Sequence, residues 1–456
     1  MVSNSLQVDA LVIGGGIAGM QAALDLADQD YRVALVEKTP SVGGKMIRLS
    51  KVFPTLDCAS CITTPRMASV AHHDNIRLLT YSELQSLTPE GTGFVAQVLK
   101  KPRYVIEDDC TGCRSCELTC PVDVADGEYE FGRTARRAAY VPFSTAVPQK
   151  AVLDLDHCVF CGRCQQACPS NAIDFSQQPM RVEIHAGTVI VATGYDLTPR
   201  GAKKEYGAGA LRNVIDGLMM ERLLAPTGPY GRVLRPSDGK QPSSIAYVQC
   251  AGSRDQTLGV PYCSRVCCMY AIKQAMLLSG TLPMADITLY YMDIRTFGKG
   301  YEQFYQNARA MGIEFVKGKV ARITEDAQQT PIVRVELIDD NSRVVERKHD
   351  LVVLSLGMVP GVNTATAFGV PTAADGFVQI PNAITAPAVT AQEGIFATGT
   401  ATGPMDIVDT ILTAGAAAAE AAAYLQAHTR AQRAPAPVEA AVPPAVAAEE
   451  RSLAYV

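Results

Sequence analysis

The sequence predicts an α/β architecture of two parallel-sheet units, interrupted once by a small α+β insertion. Three stretches carry that expectation. Val8 to Glu37 reads as an apolar strand, a glycine turn from Gly14 to Gly19, an amphipathic helix and a second strand, Val33 to Val36. Residues 110–168 hold two four-cysteine runs, each closed by a proline. Ile245 to Val248 opens a second α/β unit, yet leads into cysteines where another glycine turn is expected.

At 456 residues the chain has length for several domains with buried cores. Its 48% hydrophobic and 19% charged residues describe an ordinary globular protein. A net charge of −5 gives no basic footprint, which excludes nucleic acid as the expected partner. The opening MVSNSLQ lacks the features of a secretory signal. The most apolar window, Ala414 to Leu425, is alanine-rich and broken by Glu420, so no membrane span is expected. Fourteen cysteines without an export signal point to thiols used as metal ligands in a reducing compartment, the cytoplasm.

In the first unit Gly14 makes the tight turn, Gly16 lets backbone approach a pyrophosphate, and Gly19 allows close helix–strand packing. Phosphates are expected on the N–H groups of Gly15, Gly16, Ile17 and Ala18, at the positive end of the helix. Glu37, 21 residues after Gly16, stands where a carboxylate bonds a ribose 2′-OH, with Lys38 beside it. Three further segments favour FAD over NAD. Gly43, Gly44 and Lys45 resemble a flavoprotein loop leading to the isoalloxazine, and Ala192-Thr193-Gly194 the strand end of two-dinucleotide flavoprotein reductases. Gly394 to Thr400 resembles their second FAD segment, with Gly399 in place and Thr400 where an acid is usual. Asp406 and Ile407 then begin an alanine-rich helix aimed at the flavin, whose dipole favours negative charge on the ring.

Each cysteine run is the C-x2-C-x2-C-x3-C-P pattern of a two-cluster bacterial-type ferredoxin. Three thiolates on one tight loop grip three irons of a cubane, and the fourth, one turn on, faces the other cubane. Cys110, Cys113, Cys116 and Cys168 are thus expected to hold one [4Fe-4S] cluster, and Cys158, Cys161, Cys164 and Cys120 the other. Zinc ribbons close with two C-x2-C pairs instead. Tyr104 to Asp109 and Val152 to Asp156 read as lead-in strands, and the polar, basic stretch 127–150 as an exposed docking or capping loop.

In the second unit Cys250, Cys263, Cys267 and Cys268 are spaced C-x12-C-x3-C-C where a phosphate turn should be. They read as ligands of a third, non-ferredoxin [4Fe-4S] cluster. Buried structural thiols are the alternative, opposed by the adjacency of Cys267 and Cys268.

With GGGIAGM, FPTLDCASCITTPRM, the cysteine insertion and PYCSRVCCMYAIKQA in hand, the chain resembles the A-subunit family of heterodisulfide reductases over roughly residues 8–425. The resemblance implies a thioredoxin-reductase-like core, an unusual cluster on Cys250, Cys263, Cys267 and Cys268 near FAD, and Lys273 close to the flavin ring. A solvated helix lysine is the plain alternative for Lys273. For Cys58 and Cys61 it implies a half-site for a further cluster, completed from elsewhere; a redox dithiol and unliganded thiols stay open. Methanogen members carry an extra N-terminal cluster domain and often a C-terminal ferredoxin domain; neither pattern occurs in these 456 residues, so different electron wiring is expected.

The expected organisation is an FAD unit in three pieces (1–100, 181–244 and 351–428), the ferredoxin insertion at 101–180, and a degenerate NAD(P)H-like unit at 245–350. A disordered Pro/Ala-rich tail takes 429–456. The expected function is that of an electron-transfer oxidoreductase within a complex. It passes flavin electrons through its clusters to iron–sulfur and hydrogenase-, dehydrogenase- or reductase-type partners, as a homodimer within a larger assembly. The resemblance leaves flavin-based electron bifurcation open. The alternatives are a stand-alone NAD(P)H- or disulfide-dependent oxidoreductase using Cys58 and Cys61, and a scaffold ordered by its clusters.

Overall fold

The computed structural model describes residues 4–433. Its first sheet is organised around Asn4–Ile13, whose stretch from Ala10 to Ile13 is buried. Strands covered on both faces need such continuous apolar runs. Val33–Val36 and Met180–Val191 flank it in parallel, and Ile76–Leu79 lies beyond Val33–Val36. Gly93–Lys100 and Ser82–Glu90 extend the other side antiparallel. Gly93–Lys100 parts from Met180–Val191 at Ala186, and Ile395–Ala397 takes the vacated edge from Val189 onward.

Helix Ile17–Ala27 shares its core with the closing helix Ile407–Arg433. Ala18, Ala22 and Ala23 meet Ala414, Ala417, Ala418 and Ala421 there. Helices approach only as closely as their contact side chains allow, so the alanine-rich window is a packing face. Leucine at Ala421 would overfill it, costing about 1–3 kcal/mol. Among the described residues no helix is long and apolar enough to cross a membrane.

The second sheet runs Val214–Asp216, Leu351–Leu356, Ser244–Ala251, Asp286–Tyr291, Glu314–Glu325, Pro331–Leu337, Arg343–Lys348. The first five strands are parallel and the last two fold back antiparallel. Helices Gly217–Leu224 and Cys267–Thr281 cover one face. Val214–Asp216 and Leu351–Leu356 were expected in the flavin unit, and here the structure differs. LVVLSL is equally suited to any buried parallel strand, and its sheet is decided by a partner distant in sequence. Tyr195–Leu197 and Met358–Pro360 pair as a ribbon where the chain crosses between units.

The insertion holds two short helices, Ser115–Thr119 and Arg163–Ala167, over a small core of Val105, Val141, Ala146 and Ile173. Only Val152–Leu153 of the expected lead-in strands forms; Val105 makes a single bridge to Ile173. The stretch 127–150 is not an exposed loop. Glu130 takes a bidentate hydrogen bond from buried Arg222, Tyr129 stacks on Phe143, and the Val147 carbonyl accepts from Val42 N at 3.0 Å. Its charges have partners far along the chain, which composition could not reveal. Of the expected tail, positions 429–433 continue the closing helix; the remainder lies outside the described residues.

Candidate functional site

A cavity of about 490 Å³ opens where the glycine turn, the crossing ribbon, the insertion and helix Cys267–Thr281 meet. Its first wall follows from close packing. Gly14 turns at φ +110, and a Cβ on Gly19 would stand 1.8 Å from the Gly14 carbonyl oxygen, so nothing larger than glycine fits. A Cβ on Gly16 would meet nothing within 4 Å. No side chain caps helix Ile17–Ala27 at Gly16, so the turn presents backbone N–H groups to open space. Glu37 faces the same space, one oxygen accepting from Gly15 N at 2.6 Å and the other from Thr39 N and hydroxyl. Its remaining lone pairs are available to a ligand.

Of the sequence-derived residues, Gly14, Gly16, Ile17, Ala18, Glu37, Lys38, Gly44, Lys45, Ala192, Thr193, Gly194, Asp406 and Ile407 line the cavity, and so does Lys273. Gly15, Gly19, Gly43 and Gly399 stand behind the wall: Gly15 N bonds Glu37, Gly43 packs on Ile47 and Met67, and Gly399 on Ala18. Asp406 caps the closing helix, accepting from Asp409 N at 2.9 Å, and its other oxygen accepts from the Tyr301 hydroxyl. Sequence reasoning missed Tyr195, Glu221, Tyr270 and Gln274, and from the insertion Tyr129, Arg136, Tyr140 and Phe143. The aromatic residues interleaved with arginine in 127–150 were the available signal.

Lys273 is not solvated. It is 1% exposed, donates to the Lys51 carbonyl at 2.8 Å and pairs with Glu221. Burial lowers its pKa against the opposing pull of Glu221. Glu221 also accepts from Ser50 N and hydroxyl and from Gln274, so the buried carboxylate is fully bonded. An ion pair survives burial when its lone pairs are satisfied in this way.

Beside this wall the four cysteines of the second unit gather. Cys250 lies at φ +57 near the end of its strand, Cys263 accepts from Arg265 N, and Cys267 and Cys268 begin their helix. Burial raises the thiols of Cys250, Cys267 and Cys268, the last to about 11; mutual charge adds to each, so the four share one neighbourhood. Cys267 reaches the Leu356 carbonyl at 3.8 Å. Leu356, Val266 and Tyr270 all line the cavity, so one layer of residues separates Cys267 from it.

In the insertion Cys120, Cys158, Cys161 and Cys164 line one small cavity. Cys116, raised to about 12 by burial, feels Cys110 and Cys113, and Cys168 feels Cys113. The fourth cysteine of each run thus stands with the other run. Among the described residues no three His, Cys, Asp or Glu side chains converge tightly enough for a single metal ion. A cubane, with sulfides between its irons, needs its thiolates farther apart than a lone ion does.

Cys58 and Cys61 lie outside the cavity wall. Cys58 caps helix Ala59–His72, accepting from Cys61 N at 3.3 Å, and Cys61 is exposed. The Cys61 thiol lowers the pKa of Cys58 and is itself raised.

Residues 9–50 match the family described as FAD binding domain, and residues 109–172 that described as 4Fe-4S dicluster domain. A thioredoxin reductase of T. acidophilum aligns over 92% of this chain and 99% of its own, with TM-score 0.54 and 14% identity. That of Lactococcus lactis gives 0.52 with the same coverage and identity. The fold is therefore that of a two-dinucleotide-binding-domain flavoprotein, thioredoxin-reductase-like, with an inserted 4Fe-4S dicluster domain. Sequence relatives are more specific. The A-subunit of the H(2):CoB-CoM heterodisulfide,ferredoxin reductase of Methanothermobacter marburgensis is 45% identical over 429 residues, 92% of this chain and 64% of that protein. The iron-sulfur A-subunit of the CoB--CoM heterodisulfide reductase of Methanocaldococcus jannaschii is 46% identical over 416 residues, 90% of this chain and 63% of that protein. The chain is similar to the A-subunits of heterodisulfide reductases, and spans just under two thirds of these relatives' length.

Proposed function

We propose that this chain is a cytoplasmic oxidoreductase, the FAD- and [4Fe-4S]-containing electron-transfer subunit of a heterodisulfide reductase-like complex. One observation carries the reading: Cys267 stands a single residue layer from the wall of the dinucleotide-sized cavity. The residues fit the groups. The glycine turn leaves N–H groups and empty space for a pyrophosphate, Glu37 keeps lone pairs for a ribose, and four thiols gather beside the flavin end. When bound, FAD exchanges an electron pair and the clusters carry electrons singly. Gly14 to Gly19 would hold its phosphates, Lys45 and Lys273 bring cations to the cavity wall, and Asp406 caps the closing helix where it starts at that wall.

The ferredoxin set lies in the insertion, which also lends Tyr129, Arg136, Tyr140 and Phe143 to the cavity wall, and the set on Cys250, Cys263, Cys267 and Cys268 lies in the second unit. Two separate exits support electron bifurcation to other redox subunits, in a homodimeric assembly. Cys58 and Cys61, exposed and off the wall, suit a cluster half-site completed by a partner. The stand-alone NAD(P)H reading lacks a phosphate turn after Ser244–Ala251. Stopped-flow mixing with NADH or NADPH tests it: the flavin of the purified chain stays oxidised, whereas rapid bleaching would overturn the subunit reading.

A further inference from the structure

Strands Ser244–Ala251 and Leu351–Leu356 pair in register to Val248↔Leu354 and resume at Ala251↔Leu356. Gln249 and Cys250 therefore stand opposite Ser355 alone, a bulge with Cys250 at φ +57. Bulges re-aim side chains and gather beside functional sites.

Alternation places the bulge's polar groups. Ile245 and Tyr247 on one strand, and Leu351 and Val353 on the other, face helix Cys267–Thr281 with Met269 and Ile272. Ala246, Val248, Val352 and Leu354 face away. Gln249 and Ser355 continue the first face, beneath the end of the helix that carries Cys267 and Cys268. The carbonyl following Ser355, that of Leu356, is the one Cys267 touches.

Hydrogen bonding is incomplete there. Gln249 is 7% exposed, and neither its amide nitrogen nor its oxygen has a partner. Ser355 is fully buried; its hydroxyl lies beside the Tyr270 phenol without a well-formed bond. A buried donor left unmade costs about 1–3 kcal/mol; the Tyr247 phenol on this face also lacks a partner, but the Gln249 amide and the Ser355 hydroxyl are orphaned together at the bulge that carries Cys250, which indicates a bound group that completes them. The Tyr270 phenol lies beside Ser355, and Cys267 and Cys268 begin the same helix; sulfur takes weak hydrogen bonds and gains negative charge when a cluster is reduced.

We propose that Gln249 and Ser355 donate hydrogen bonds to the sulfurs of a cluster on Cys250, Cys263, Cys267 and Cys268, and thereby raise its reduction potential. The proposal rests on reading those four cysteines as ligands. Hydrogen bonds to the sulfurs are one of the levers that set such potentials.

The test uses the full chain, purified anaerobically as wild type, Gln249→Leu and Ser355→Ala, with iron and FAD counted and potentials read by EPR-monitored titration. The signal of this cluster is assigned by its loss in Cys263→Ala. Each variant is expected to keep its iron and to move this midpoint to more negative potential, Gln249→Leu further because its amide carries two N–H donors. The ferredoxin-type signals stay where they were. An unchanged midpoint at full iron content overturns the proposal, as does an equal shift in every cluster. If Gln249→Leu cannot hold its iron, Ser355→Ala alone decides by the same shift. Failure of the underlying reading looks different: the wild type then holds about eight irons per FAD, not about twelve as three cubanes require.

Discussion

At the carboxyl end of Asn4–Ile13 the chain turns through Gly14 into a helix with no side-chain cap, and the freed N–H groups face a cavity. At the same end of Ser244–Ala251 it bulges through Cys250 and re-enters helix at Cys267, again without a side-chain cap. Open α/β sheets bind ligands at this edge. One unit lines that edge with uncapped backbone amides, and the other with cysteine sulfur. Topology selects the place and the side chains select the chemistry, so the second unit can lose its phosphate turn while keeping the fold that aims its helix at the same cavity.

The largest test of that shared wall is Lys273. Lys273→Met leaves Glu221 charged and buried, and urea denaturation is expected to show a loss of about 3–5 kcal/mol. Adding Glu221→Gln should restore part of it, because the buried charge is gone and the amide oxygen can still accept from Ser50 N and hydroxyl. A loss below about 1 kcal/mol would place Lys273 in solvent after all.

The second unit also carries a buried titrating group behind its strands. His349 shares hydrogen bonds with the Tyr290 and Ser244 hydroxyls, and burial lowers its pKa to about 4. Its ordinary value is near 6.5. Between the two values the unfolded chain binds the proton and the folded chain does not, so stability falls as pH drops from 6.5 towards 4. The full effect is about 3 kcal/mol. His349→Gln should flatten this part of the urea-stability profile; an unchanged slope would remove His349 as its cause.

Gly19→Ala is the smallest of the three. Its Cβ would overlap the Gly14 carbonyl, costing about 1–3 kcal/mol as overpacking does. The ratio of flavin absorbance to protein should fall while iron on the insertion is retained. Equal flavin content would show that the turn can relax.

What the sequence made legible was what local geometry dictates. Gly14, Gly16 and Gly19 are spaced by a turn entering a helix, and Cys110 to Cys120 and Cys158 to Cys168 by loops around a cubane, so both could be read without a partner in view. What it hid depends on distant pairing. Glu221 meets Lys273 across 52 residues, Glu130 meets Arg222 across 92, and Val214–Asp216 joins Leu351–Leu356 in a sheet that neither strand's own pattern names. Gln249 was silent for the same reason: its burial and missing partners exist only once two strands bulge against a helix.

Iron counted per flavin in the anaerobically purified chain and in Cys267→Ala tests the central claim most directly. Four-iron occupancy of the second unit predicts about twelve irons falling to about eight, with FAD retained. The same iron content in both proteins would contradict it.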